Sequence, residues 1–135
     1  MKELELAAAI SNIADVTAFV DEQLEANDCS MKAQTQIDIA IDEIFSNVAL
    51  YGYPEGEGRV KVSVDFPDGD AKVVISFEDN GLPFNPLEKA DPDITLSAEE
   101  RGIGGLGIFM VKKTMDDVRY EYKDNKNILT IEKTI

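Results

Sequence analysis

No histidine occurs anywhere in the 135 residues. That absence excludes Ser–His and Cys–His catalysis, histidine metal ligands and any enzyme that phosphorylates a histidine of its own. Cations are scarce too: 13 Lys and Arg stand against 27 Asp and Glu, a formal charge of −14. A chain with a pI near 4.2 lacks the basic footprint that grips nucleic-acid phosphates. An anionic membrane surface would repel it. Neither nucleic acid nor membrane is therefore an expected direct partner. A phosphate-bearing ligand would have to be held locally, by backbone N–H groups, a metal ion or one or two placed cations. The lone cysteine, Cys29, cannot close an intramolecular disulfide, which fits a reducing compartment. It reads as a small, semi-buried loop residue. No stretch approaches the ~18 apolar residues of a membrane span. The start MKELELAAAI has no basic region ahead of a long apolar run, so no signal peptide is expected and the chain reads as cytoplasmic.

Against these absences stand 44% hydrophobic and 30% charged residues, enough to bury a core in one domain spanning 1–135. Charged and apolar residues alternate over 2–8, as in a half-buried strand. Ile13, Val16, Phe19, Val20 and Leu24 recur at three- and four-residue spacing, predicting a helix over about 12–25 with Ser11 or Asn12 as its cap. A second helix is expected over about 31–50, with Ile37, Ile41, Ile44, Phe45 and Val48 as its core stripe. Val60, Val62, Val64 and Phe66 mark a one-sided strand; Val73, Ile75 and Phe77 mark the next, with a hairpin turn at 67–70 between them. Three prolines and scattered acids over 82–101 read as a long loop of the kind that makes lids. A glycine cluster at 102–107 opens a third helix through about Met115, and two strands, about 118–123 and 128–133, flank a turn at 124–127. Hairpin connections predominate, which predicts an α+β two-layer sandwich: a mixed, mostly antiparallel sheet with three helices on one face.

Three places can carry chemistry. Glu43 and Asn47 lie one helical turn apart, on one side of the second helix at the border of its core stripe. An Asn amide oxygen suits Mg²⁺, which keeps waters and bridges phosphates. A neighbouring carboxylate can take a proton from a hydroxyl or water attacking phosphorus. Asp79-Asn80-Gly81 ends a strand, where a carboxylate can accept from an exocyclic amine such as that of adenine. The composition equally suits an ordinary turn. Gly102-Ile103-Gly104-Gly105-Leu106-Gly107 heads a helix, where free N–H groups meet anions. No strand directly precedes it, so it is not a dinucleotide fingerprint. Ile108 and Phe109 stand where a Walker A loop needs Lys and Ser or Thr. Arg101, just before the cluster, can reach terminal phosphate oxygens.

Taken in this order the pieces resemble the GHKL ATPase superfamily of gyrase, the heat-shock chaperone of that fold, histidine kinases and the mismatch-repair ATPase. Glu43-x-x-x-Asn47 is similar to its N-box, Asp79-x-Gly81 to its first glycine box and Gly105-x-Gly107 to its second. Within it the chain is most similar to the anti-sigma factor serine kinases. Tyr51-Gly52-Tyr53 follows the acidic helix, Glu100-Arg101 sits in the lid, and Met115-Asp116-Asp117-Val118 follows the glycine helix. The resemblance, over roughly 3–134, implies a Bergerat-type ATP-binding fold. It implies ATP and Mg²⁺ as cofactors, with Asn47 on the metal and Glu43 as general base. Asp79 would bind the adenine amine, supported by Gly81, and Gly104, Gly105, Leu106 and Gly107 would bind the phosphates, with Arg101 at the γ-phosphate or positioning the protein substrate. The implied activity is transfer of the γ-phosphoryl group to a serine or threonine of an anti-anti-sigma-like partner. A sigma factor as second partner and a homodimer are also implied. Tyr51 stands where the group often has His, the glycine cluster is about one residue longer than usual, and Lys126-Asn127-Ile128 replaces a Gly-Thr-Thr that helps hold adenine. Two alternatives remain open: a nucleotide-gated binding module without significant kinase activity, and a detached histidine-kinase catalytic domain acting in trans.

Overall fold

The computed structural model describes residues 1–52, 58–67, 71–83, 85–88 and 106–135. The hairpin turn expected at 67–70 falls largely outside them, as do Tyr53 and all but the first residues of the loop expected over 82–101. The strands are β1 (Lys2–Ala7), β2 (Arg59–Asp65), β3 (Lys72–Asp79), β4 (Asp117–Lys123) and β5 (Lys126–Thr134). The helices are α1 (Ile13–Ala26), α2 (Met31–Asn47) and α3 (Leu106–Thr114). The sheet order is β1-β2-β3-β5-β4 and each of these pairings is antiparallel. The expected two-layer α+β arrangement is therefore what the chain adopts.

Alternation decides which face of the sheet is covered. Val60, Val62, Val64, Val73, Ile75, Phe77, Leu129 and Ile131 point inward and are buried, as successive strand side chains must take opposite sides. Val16, Val20 and Leu24 of α1, the α2 stripe Ile37, Ile41, Ile44 and Phe45, and Val111 of α3 close the core against them. Among the outward residues the charged ones pair across strands. Lys61 bridges Glu3 and Glu78, Lys126 reaches Glu78, and Arg119 and Lys72 both meet Glu132. Lys126 above all holds the Glu78 carboxyl below its ordinary range. Such exposed pairs add little energy each, but a one-residue slip would break all of them together with the core.

Helix starts differ in detail from the sequence reading. Asn12 ends a short 3-10 turn and makes no capping bond; its amide instead donates to the Ala7 carbonyl at 2.9 Å, tying the end of β1 to the start of α1. Ser30, in extended backbone, does cap α2 by accepting from the Ala33 N–H at 3.2 Å. The expected 31–50 helix keeps α-geometry to Asn47 and finishes as a π-helical turn over Val48–Gly52. Cys29 is half-buried and unbridged.

Where α1 packs on α2, Asp21 and Asp38 each bury an oxygen that meets no donor among the described residues. A hydrogen bond between the two carboxyls therefore needs a proton on one of them. Burial, the Asp21 contact and the charges of Asp21 and Glu25 push the Asp38 carboxyl up to about 7. With its folded value above the unfolded one, the native state holds the extra proton between about pH 4 and 7. Stability from this group is thus full at low pH and is lost as pH rises through 7. Asp38→Asn keeps an N–H for Asp21 and removes that loss. Because the pair is partly exposed and screened, we expect Tm at pH 8 to rise by roughly 2–4 °C and the variant's gain to shrink to about a third of that at pH 5. A thermal melt at the two pH values checks this; an equal gain at both would contradict it.

Candidate functional site

Helix α2 supplies the first two groups. Its core stripe turns Ile41, Ile44 and Phe45 into the interior, which leaves Glu43 and Asn47 half-buried at the rim of the stripe. The Asn47 amide nitrogen donates to Glu43 Oε1 at 3.4 Å. That bond turns the amide oxygen, the better ligand for a hard cation, away from the carboxylate.

Asp79 comes from the end of β3. It is 5% exposed, and Asn127, directly opposite in the β3–β5 register, is 6% exposed. They are the buried polar residues of the described chain, so their hydrogen bonds matter most. Asp79 Oδ1 accepts from the Gly81 N–H at 2.8 Å and from Asn127 Nδ2 at 3.2 Å. Asn127 Nδ2 also lies within bonding distance of the Gly81 and Leu82 carbonyls, 3.3 and 3.0 Å away, and its Oδ1 accepts from the Tyr120 hydroxyl. Asn127 thus ties the end of β3 and the following turn to β5. It was expected in a turn over 124–127. Asp124 and Asn125 instead both have positive φ, the backbone of a tight two-residue hairpin, so β5 begins at Lys126 and Asn127 lies in the sheet. Asp79, Asn127 and Asn47 line one cleft whose other walls include Ile44, Val48, Phe77, Pro86 and Leu129. Apolar walls with a few fixed polar groups are what a planar, amine-bearing ring requires.

Helix α3 brings the last group. It starts at Leu106, and the first four N–H groups of a helix lack intrahelical partners. A Cβ built on Gly107 would fall on the Glu43 carboxylate, so a larger residue there would have to push that side chain aside. The far end of α3 is fixed to the sheet: Lys133 Nζ donates to the Thr114 carbonyl at 2.6 Å and Asp116 accepts from the Thr134 N–H. That backbone bond also holds the Asp116 carboxyl below its ordinary range.

The predicted residues therefore fall into one neighbourhood where they are described. Gly107 abuts Glu43, Glu43 bonds Asn47, and Asn47 faces the cleft floored by Asp79 with Gly81 at its turn. Arg101, Gly104 and Gly105 lie outside the described residues. Tyr120 was not singled out from sequence; in the alternating strand β4 only its pairing with Leu129 reveals that it faces inward beside Asn127. The residues present fit a magnesium nucleotide: an acceptor for a ring amine, a glycine seat at a helix head, and a neutral oxygen donor. Among the described residues no three His, Cys, Asp or Glu side chains gather as a metal cage. No helix among them is long and apolar enough to cross a membrane.

Residues 6–133 match the family described as Histidine kinase-like ATPase domain. The chain is 28% identical over 104 residues to a protein of Listeria monocytogenes named serine-protein kinase RsbW, covering 74% of this chain and 66% of that one. It is 29% identical over 116 residues to the anti-sigma F factor of Bacillus subtilis, covering 85% and 78%. Among solved structures, the RsbU and RsbW domains of a Mycobacterium tuberculosis protein superpose with a TM-score of 0.63 at 19% identity, over 98% of this chain and 32% of that one. The catalytic domain of the histidine kinase ThkA superposes with a TM-score of 0.55 at 16% identity, over 99% and 97%; both carry the same fold. With all but the first and last few residues matched, the chain belongs to the histidine kinase-like ATPase domain family.

Proposed function

We propose that this chain works as one ATP-binding domain and is an ATP-dependent protein serine/threonine kinase of the anti-sigma type. Its substrate is an anti-anti-sigma-like partner in the cytoplasm, its second partner is a sigma factor, and the chain forms a homodimer. The names of the relatives, serine-protein kinase and anti-sigma F factor, support this reading. The observation that carries it is the Glu43 carboxylate, seated on Gly107 and held by Asn47, which itself lines the cleft. A nucleotide sensor has no need of a carboxylate there, whereas a kinase needs a base.

Asp79 accepts from the adenine amine, while Gly104, Gly105, Leu106 and Gly107 offer backbone N–H groups to the phosphates and Arg101 the terminal phosphate a cation. Asn47 would hold Mg²⁺, which would supply positive charge to offset that of the phosphates. The serine hydroxyl oxygen bonds to the γ-phosphorus, the bond from that phosphorus to the β–γ bridging oxygen breaks with its electrons to ADP, and the hydroxyl proton passes to Glu43. Positioning supplies most of the catalysis in such transfers.

The test is a thermal melt with Mg·ATP followed by transfer of labelled γ-phosphate to a purified anti-anti-sigma-like domain. At 100 times its dissociation constant ATP should add about 2.7 kcal/mol, and the domain should gain label on serine or threonine. No melt shift would overturn the nucleotide site. A shift with ATP-dependent partner capture but no label would replace the kinase with a gated binding module.

A further inference from the structure

We propose that Asn127, oriented by Tyr120, is a positioning residue that makes the cleft select a 6-amino purine over a 6-oxo purine. The inference rests on the ATP reading above and deepens it. Asp79 reads an amine only while its carboxylate stays fixed as an acceptor aimed into the cleft. Asn127 Nδ2 donates to Asp79 Oδ1 and to the carbonyls of Gly81 and Leu82, so one amide group clamps both the carboxylate and the turn beyond it. The amide can do this only with its nitrogen toward Asp79. The opposite orientation would set Oδ1 against a carboxylate oxygen and two carbonyls, all acceptors. The Tyr120 hydroxyl enforces the productive orientation from the other side by donating to Oδ1.

Removing that hydroxyl leaves Oδ1 of a residue that is 6% exposed without its phenolic donor, a penalty comparable to a lost hydrogen bond. With one of its anchors gone the amide is held less rigidly, and its hold on Asp79 loosens. A loosened carboxylate loses affinity for a ring amine but has none to lose for a ring carbonyl. The signature is therefore a fall in discrimination, not a uniform loss.

The experiment measures dissociation constants of Mg·ATP and Mg·ITP, which share ribose and phosphates, by calorimetry on the wild-type chain, Tyr120→Phe and Asn127→Ala. Wild type should prefer ATP by at least about tenfold, the worth of a hydrogen bond to a charged group. Both variants should lose about fivefold or more in ATP affinity while ITP changes less than twofold, with folding checked by their melts. Equal ATP-to-ITP ratios in wild type and in whichever variant folds would overturn the positioning role while leaving the ATP site intact. Wild type that binds neither nucleotide would overturn the underlying ATP reading and this inference with it.

Discussion

Glu43→Gln should reduce phosphoryl transfer by about 10²–10⁴-fold while leaving ATP affinity within about twofold. Gln matches Glu in shape and keeps an oxygen for the Asn47 N–H, now 3.4 Å from Glu43 Oε1, so the α2 edge and Asn47 stay in place. What disappears is the ability to take a proton from the attacking hydroxyl. Single-turnover transfer and an ATP titration on the same preparation separate the two. Retained transfer would remove Glu43 from the chemistry; lost ATP binding would place it in the nucleotide's grip instead.

Gly107→Ala is expected to have an effect of similar size through geometry alone. The new Cβ would occupy the space of the Glu43 carboxylate, and since that carboxylate ends a flexible side chain it can move aside at little cost. Alanine also favours the helix by up to about 1 kcal/mol over glycine, so Tm should shift by only a few degrees. The displaced base is another matter, because a misplacement of about 1 Å can reduce rate ~10²-fold. The double variant Glu43→Gln/Gly107→Ala should be no slower than Glu43→Gln alone, since both changes strike one group. Additive losses would mean that Gly107 acts on the phosphates independently of Glu43.

Much of this arrangement was legible in the residues. The α2 stripe Ile37, Ile41, Ile44 and Phe45 reads as helix from spacing and is buried as expected, and that stripe alone fixes where Glu43 and Asn47 must emerge. The alternating valines of β2 and the Val73-Ile75-Phe77 face of β3 identify the covered side of the sheet in the same way. Less legible were features set by a single backbone angle or by a partner far along the chain. Whether Asn127 sits in a turn or a strand depends on Asp124 and Asn125 adopting positive φ, and Asp124, Asn125 and Asn127 are all turn formers by composition. Asn12 has a capping residue's chemistry, yet the Ala7 carbonyl competes for its amide. The seat of Glu43 on Gly107 joins residues 64 positions apart, and no local pattern records such a contact.

The central claim is that Glu43, Asn47, Asp79 and Gly107 border one nucleotide cleft. Backbone amide NMR of the labelled chain titrated with Mg·ATP tests it most directly. The amides of Asn47, Gly81, Gly107 and Asn127 should shift together along one saturating curve, while those of α1 and the outward-facing residues of β1 and β2 stay still. Shifts confined to the outer sheet face, or none at saturating nucleotide, would contradict it.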